Sequence, residues 1–417
     1  MAALPSEVVE AVLRSAYEFA WDEVDIGREL ARRALLRDAA LVCRAWYGAA
    51  TPVLRDTLVC CRLGDFDAIY DAVASGGLRL DGVRTVVLDE SACRDADGEA
   101  AAWAQVEEAH GGPVDRTSFA MLDAVAKRSR SCEQHVLGDF ASDAFGLLAQ
   151  LPRLVQLRST RGRTFARFVA NWPVARLAIE SLCDEDDQWR DDWPDEELWP
   201  ALDEWTALQA LSISCAYVDP GLVAVPAALC GRLQWLRLGV GDGRRDAWER
   251  VQHGVLLQAR LFAGPTPQLR QLDIRLSESH DDLDDALWPA VILGHSDDNA
   301  SVPPLRRLTV GWPATEPIVG DVGTLVQRLP FSTIELAIAI AEPVREEYQH
   351  RFEGNDLLRA LVTGLLFEGS AVNLARLELD MTGFGLDAGA WRALRSWEPL
   401  ETTCRERGVE LELTAGG

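Results

Sequence analysis

The residues able to do chemistry by type are nine cysteines, six histidines, a single lysine and a large surplus of carboxylates. The cysteines are dispersed with no CxxC pair, and only Cys60 and Cys61 are neighbours. That pattern supplies neither a zinc framework nor a disulfide framework, and it reads as reduced, mostly buried thiols in the cytoplasm or nucleus. Cys43, within "DAALVCRAWYGAA" (38–50), invites a nucleophile reading. A reactive thiolate needs a base or a cation facing it. Arg44 is next in sequence, about 100° away around a helix, and the histidines are scattered. Cys43 is therefore expected to be a small buried hydrophobe.

Lys127 follows "AVA" rather than the glycine of a phosphate-binding loop, so no Walker-type site exists. Schiff-base chemistry could use this one lysine alone. The other basic residues are all arginine, and arginine, alanine and glycine abundance together point to GC-rich coding. "KRSR", beginning at Lys127, is too short for a nuclear signal. His280 stands in "SHDDLDDALW" (279–288), which lacks the alternating ligands and glycine of a calcium loop. No GxSxG or HExxH motif appears, so no catalytic residue, metal or cofactor is expected and the chain reads as a non-enzyme.

The net charge of −25 argues against binding to nucleic acid or anionic membrane. No segment approaches the ~20 apolar residues of a membrane helix, and "MAALPSEVVEAVL" lacks the build of a signal peptide. "DEDDQWRDDWPDEELWPALDEW" (184–205) mixes carboxylates with Trp189, Trp193, Trp199 and Trp205. It reads as an insertion whose tryptophans pack inward and whose acids stay solvated; the alternative is a recruitment loop for a basic partner.

The elements that would position these groups come from a repeat. Apolar–x–x–apolar–x–apolar recurs as "VRTVVL" (83–88), "LVQLRS" (154–159), "VARLAI" (174–179), "LQALSI" (208–213) and "LQWLRL" (233–238). It continues as "LRQLDI" (269–274), "LRRLTV" (305–310), "FSTIEL" (331–336), "LARLEL" (374–379) and "GVELEL" (408–413), with "CEQHVL" (132–137) weaker. Each is a short strand buried on one face. Helical stretches such as "SDAFGLLAQLP" (142–152) and "AWRALRSWEPL" (390–400) lie between them. The reading is an α/β chain in which an irregular leucine-rich solenoid occupies 58–417, with parallel strands on the concave face and helices outside. An ordinary α/β domain is the alternative, but no dinucleotide glycine fingerprint accompanies any strand. The third, fifth and seventh positions of each unit should face outward. They place Arg158, Arg176, Trp235, Arg237, Arg275, Arg307 and Arg376 on the concave face. Glu335, Glu378, Asp380, Glu410 and Glu412 fall toward the C-terminus. Arg158, Arg176, Trp235, Arg237, Arg275 and Arg307 form a candidate target-binding patch for acidic or phosphorylated peptides. The competing expectation is that they pair with neighbouring carboxylates.

Residues 1–57 read as a short all-helical module. "LPSEVVEAVL" (4–13) opens a helix with Pro5 in its first turn. A second helix carries Leu35, Ala39, Val42, Trp46 and Ala49 as one stripe, widened by Leu36 and Cys43, and ends before Pro52. So small a segment cannot bury both helices alone.

"LPSEVVEAVL" followed by "LLRDAALVCRAWYGAATPVLRDTLV" resembles the F-box motif through Leu4-Pro5, Glu7, Leu41-Val42-Cys43-Arg44, Trp46 and Val53-Leu54. The resemblance covers roughly the first 55 residues. It departs at "FAWDEVDIGRELARR" (19–33), where the family has a short connection and a brief middle helix. The resemblance implies a three-helix module that docks on a Skp-type adaptor and, through it, a cullin scaffold. Leu4, Pro5, Val8, Val12, Leu41, Val42 and Trp46 would bind the adaptor. F-box proteins with leucine-rich repeats are substrate receptors of SCF-type ubiquitin ligases, with an unknown target held by the repeats here. The alternative is a leucine-rich interaction scaffold with no ubiquitin role, its N-terminal helices only capping the solenoid.

Overall fold

A computed structural model describes residues 6–18, 21, 26–89, 99–114, 116, 121, 124–125, 136, 139–161, 173–181, 202–216, 225–240, 266–276, 304–311, 318–340, 354–367, 369 and 371–416. The chain divides into two compact units, 1–208 and 209–417.

The first unit opens with three helices, α1 (Ser6–Glu18), α2 (Ile26–Val42) and α3 (Arg44–Arg55). Four parallel strands follow among the described residues: β1 (Thr57–Cys60), β2 (Thr85–Leu88), β3 (Gln156–Arg161) and β4 (Arg176–Ser181). Their order in space is their order in the chain. Parallel neighbours need crossovers, here carried in part by α4 (Leu63–Ala74) and α5 (Glu99–His110). Asp65 accepts from the backbone N–H groups of Cys61 (2.7 Å) and Arg62 (3.0 Å), satisfying donors at the start of α4. Phe66 of α4 meets Phe140 edge-on at 5.1 Å, and both are buried. Phe140 belongs to a helical run, 139–148, that contains most of the helix expected at 142–152.

The second unit repeats the scheme with seven parallel strands in chain order: β5 (Ala210–Ala216), β6 (Trp235–Val240), β7 (Gln271–Leu276), β8 (Arg307–Gly311), β9 (Glu335–Ala339), β10 (Arg376–Met381) and β11 (Glu410–Ala415). One register row is Leu211, Leu236, Leu272, Leu308, Leu336 and Leu377, none more than 1% exposed. Burying each such side chain contributes roughly 1.5–3 kcal/mol. The described crossover helices are α6 (Ala227–Arg232), α7 (Ile318–Gln327), α8 (Gly354–Leu366), α9 (Ala388–Arg392) and α10 (Trp397–Arg407). α7 and α8 pack so closely that a Cβ on Gly364 would stand 2.9 Å from both the Gly323 carbonyl oxygen and Val326 Cβ. α10 ends at Gly408 with φ of 71°, a left-handed cap that only glycine adopts without strain. In both units this is an α/β arrangement with the connectivity of a solenoid.

Several local expectations are corrected. The helix expected through 35–50 breaks at Cys43, whose extended backbone (φ −166°, ψ 173°) precedes α3. The stripe therefore splits: Leu36, Ala39 and Ala49 are buried, whereas Leu35 and Val42 are each 66% exposed. Pro52 lies inside α3 instead of ending it. Ala50 and Val53 sit in the same small core as Leu36, and that packing holds the turn around the proline. The stretch 390–400 contains the end of α9 and the start of α10 rather than one helix. Of "CEQHVL", only Val136 is among the described residues and it is helical, while β2 pairs directly with β3. The strand expected at "FSTIEL" lies two residues later, because β9 begins at Glu335 and Thr333, 2% exposed, fills the first inward position.

Candidate interaction surfaces

The three N-terminal helices have a small core of their own, built on Leu36, Ala50 and Val53 with Leu13, Ala40 and Leu54 against it. α1 shows how its sequence divides the faces. Val9 is buried (3% exposed), while Val8 and Val12, one helical turn apart, are 43% and 62% exposed. At the corner between α2 and α3, Leu41 and Val42 are 83% and 66% exposed and Cys43 is also exposed. Leu30 and Tyr47 add further exposed apolar surface. Trp46 is half-buried, and Leu4 and Pro5 lie outside the described residues. The expected burial of Cys43 is thus corrected: the break that ends α2 turns it to solvent.

The same helices are fastened to the strands of their unit. Arg14 of α1 bonds Asp56 at 2.6 Å just before β1, and Glu10 at 2.9 Å. Arg33 of α2 donates to the Thr57 carbonyl of β1 at 2.9 Å. Glu29 of α2 meets Arg158 of β3 at 2.7 Å, with the two side chains 1% and 2% exposed. Arg158 is therefore withdrawn from the target-binding patch, because α2 covers it. Arg176 of β4 is half-buried, its guanidinium 5.9 Å from the ring centroid of Trp21, and Gln156 of β3 donates to the Trp21 carbonyl at 3.3 Å. Trp21, Glu29 and Arg33 all come from 19–33, the stretch that departs from the F-box pattern. Its described residues reach the strand face.

In the second unit, Trp235, Arg237, Arg275 and Arg307 do lie on outward positions of β6, β7 and β8. The arginines are engaged with carboxylates across the strands. Asp273 is shared by Arg237 (3.6 Å) and Arg275 (3.5 Å). Arg307 reaches Glu335 at 3.4 Å and Glu378 at 3.2 Å, and Arg376 pairs with Glu412. The register explains this: Arg307, Glu335, Arg376 and Glu410 face one another on β8 to β11, alternating in sign. The face is a charge-balanced ladder with Trp235 beside it, not a concentrated positive patch.

Burial pushes the Cys61 thiol up to about 12 and the Cys404 thiol up to about 11, with carboxylates of Asp89 and Asp65 adding to the effect on Cys61. Burial also raises Cys60 strongly. Among the described residues no three His, Cys, Asp or Glu side chains are grouped to hold a metal ion, and no helix is long and apolar enough to cross a membrane. The acidic stretch at 279–288 lies outside the described residues, as does most of 184–205; Trp205 at its end is buried. No protein-family model matches the chain, and no curated protein is significantly similar to it.

Proposed function

We propose that this protein is a non-enzymatic substrate receptor of an SCF-type ubiquitin ligase. The F-box-like helices dock a Skp-type adaptor and, through it, the cullin scaffold, while leucine-rich-repeat-like strands present a target. One observation carries the reading. The apolar residues that the F-box resemblance assigns to the adaptor, Val8, Val12, Leu41 and Val42, are among those that the helices leave in water. Leu36, Ala50 and Val53 supply the internal core instead. Several large apolar side chains left exposed on one small helical module offer surface that a partner could cover, which one exposed leucine alone would not signal. The mechanism is proximity, with target lysines held at a high effective concentration beside a catalytic centre on other subunits.

The test is affinity purification of the full chain with a Skp-type adaptor. The wild type recovers adaptor and cullin, and Leu41→Glu/Val42→Glu recovers neither while keeping its circular dichroism. Equal recovery by both proteins overturns the reading. A second reading, the helices as a cap on the strand array, has its own support in the buried Glu29–Arg158 pair. Equal recovery of a set of other proteins, without adaptor, would favour it.

A further inference from the structure

Between the helices and the strand face of the N-terminal unit lies a cavity of about 120 Å³. Its floor is one register row. Thr57, Thr85, Gln156 and Arg176 are successive partners on β1 to β4, each about 4.8 Å from the next. Four arginines line the space, Arg14, Arg84, Arg158 and Arg176, against one carboxylate, Asp56. Arg14 is committed to Asp56 and Glu10, and Arg158 to Glu29. Arg84 and Arg176 have no carboxylate partner among the described residues; the Trp21 ring lies beside Arg176. Among the described residues, even with Glu10 and Glu29 counted, the arginines exceed the carboxylates here by one, in a chain whose net charge is −25.

Composition works against such a site, and two uncompensated guanidinium groups at one cavity repel each other unless an anion joins them. The guanidinium fork matches tetrahedral oxyanions in geometry as well as in charge. The space is several times the ~10–15 Å³ that one water needs and is partly open to solvent, so a phosphate group fits. We propose that this cavity binds a phosphate-type oxyanion, either free phosphate or a phosphate monoester, with Arg84 and Arg176 as its charged ligands and Thr85 as a neutral donor. The bound anion would tie the β2 and β4 segments together through groups that otherwise repel. This assignment does not depend on the ligase reading.

The test is isothermal titration of the full chain with inorganic phosphate at constant ionic strength, beside thermal melting in phosphate and in matched sodium chloride. The expected result is one site per chain and a melting point raised by phosphate alone. Arg84→Gln and Arg176→Gln should each weaken binding at least tenfold, and Arg176→Lys should weaken it less than Arg176→Gln. Arg84 is exposed, so Arg84→Gln leaves the fold intact and carries the test even if the Arg176 variants are unstable. O-phosphoserine distinguishes the sources: tighter binding than inorganic phosphate marks a monoester site, and equal or weaker binding marks a free-phosphate site. Absence of phosphate binding, or unchanged affinity in Arg84→Gln, overturns the proposal.

Discussion

Glu29→Ala removes one half of an ion pair whose side chains are 1% and 2% exposed at 2.7 Å. At an effective dielectric constant of 20, that separation corresponds to about 6 kcal/mol of gross attraction. Desolvating each ion costs several kcal/mol, so the intact pair contributes little net stability. The alanine variant keeps the cost and loses the attraction, leaving Arg158 as a buried charge; about 3–5 kcal/mol should be lost. Glu29→Leu combined with Arg158→Met removes both charges at similar volume and should recover most of that loss. Urea unfolding measures the totals, and hydrogen exchange of peptides from α2 and β1 to β3 assigns them to the N-terminal unit. A single-variant loss below about 1 kcal/mol, or a double variant no better than the single, would refute the seating of α2 on β3.

The ladder in the second unit should behave oppositely. Arg307, Glu335 and Glu378 are 30–41% exposed at the side chain, so Arg307→Gln should change unfolding free energy by no more than about 1 kcal/mol. Gly364→Ala places a methyl group 2.9 Å from the Gly323 carbonyl oxygen and should cost roughly 1–3 kcal/mol in denaturant unfolding; a neutral result would contradict the α7–α8 contact. Thiol labelling at pH 8, mapped by mass spectrometry, should modify exposed Cys43 well before Cys60, Cys61 and Cys404. Because burial raises the Cys404 thiol from 9.0 to about 11, the folded chain keeps a proton that the unfolded chain gives up. Its contribution to stability is therefore present below pH 9 and is lost as pH rises toward 11, which melting curves at pH 8 and 10.5 would show.

The strand array was legible because alternation and the inward leucines repeat together. In nine of the ten clear units the strand begins at the third residue, "LQWLRL" giving β6 from Trp235 and "LRQLDI" giving β7 from Gln271; the tenth, "FSTIEL", slipped by two. β1 escaped because Arg55 occupies the first apolar position of its unit, and β9 slipped because Thr333 does so in its own. Arg55 is exposed and Thr333 is buried, and neither registers as an apolar position in a pattern of hydrophobicity. The N-terminal stripe failed for a related reason. Periodicity ran smoothly across Cys43, and only backbone geometry shows that the helix axis changes there. Outward strand positions were read correctly for Arg158, but its burial depends on Glu29, 129 residues away in sequence. No local window contains that information. The cavity likewise draws Arg14, Arg84 and Arg176 from three distant segments.

The most direct measurement of the central claim is the affinity of purified full-length protein for a recombinant Skp-type adaptor, beside that of a Val12→Glu/Leu41→Glu variant. Both side chains are more than 60% exposed, so the variant should melt at the wild-type temperature. Adaptor docking requires saturable wild-type binding with a one-to-one stoichiometry and at least a hundredfold loss in the variant. Absence of wild-type binding, or equal affinity in the two proteins, would contradict it.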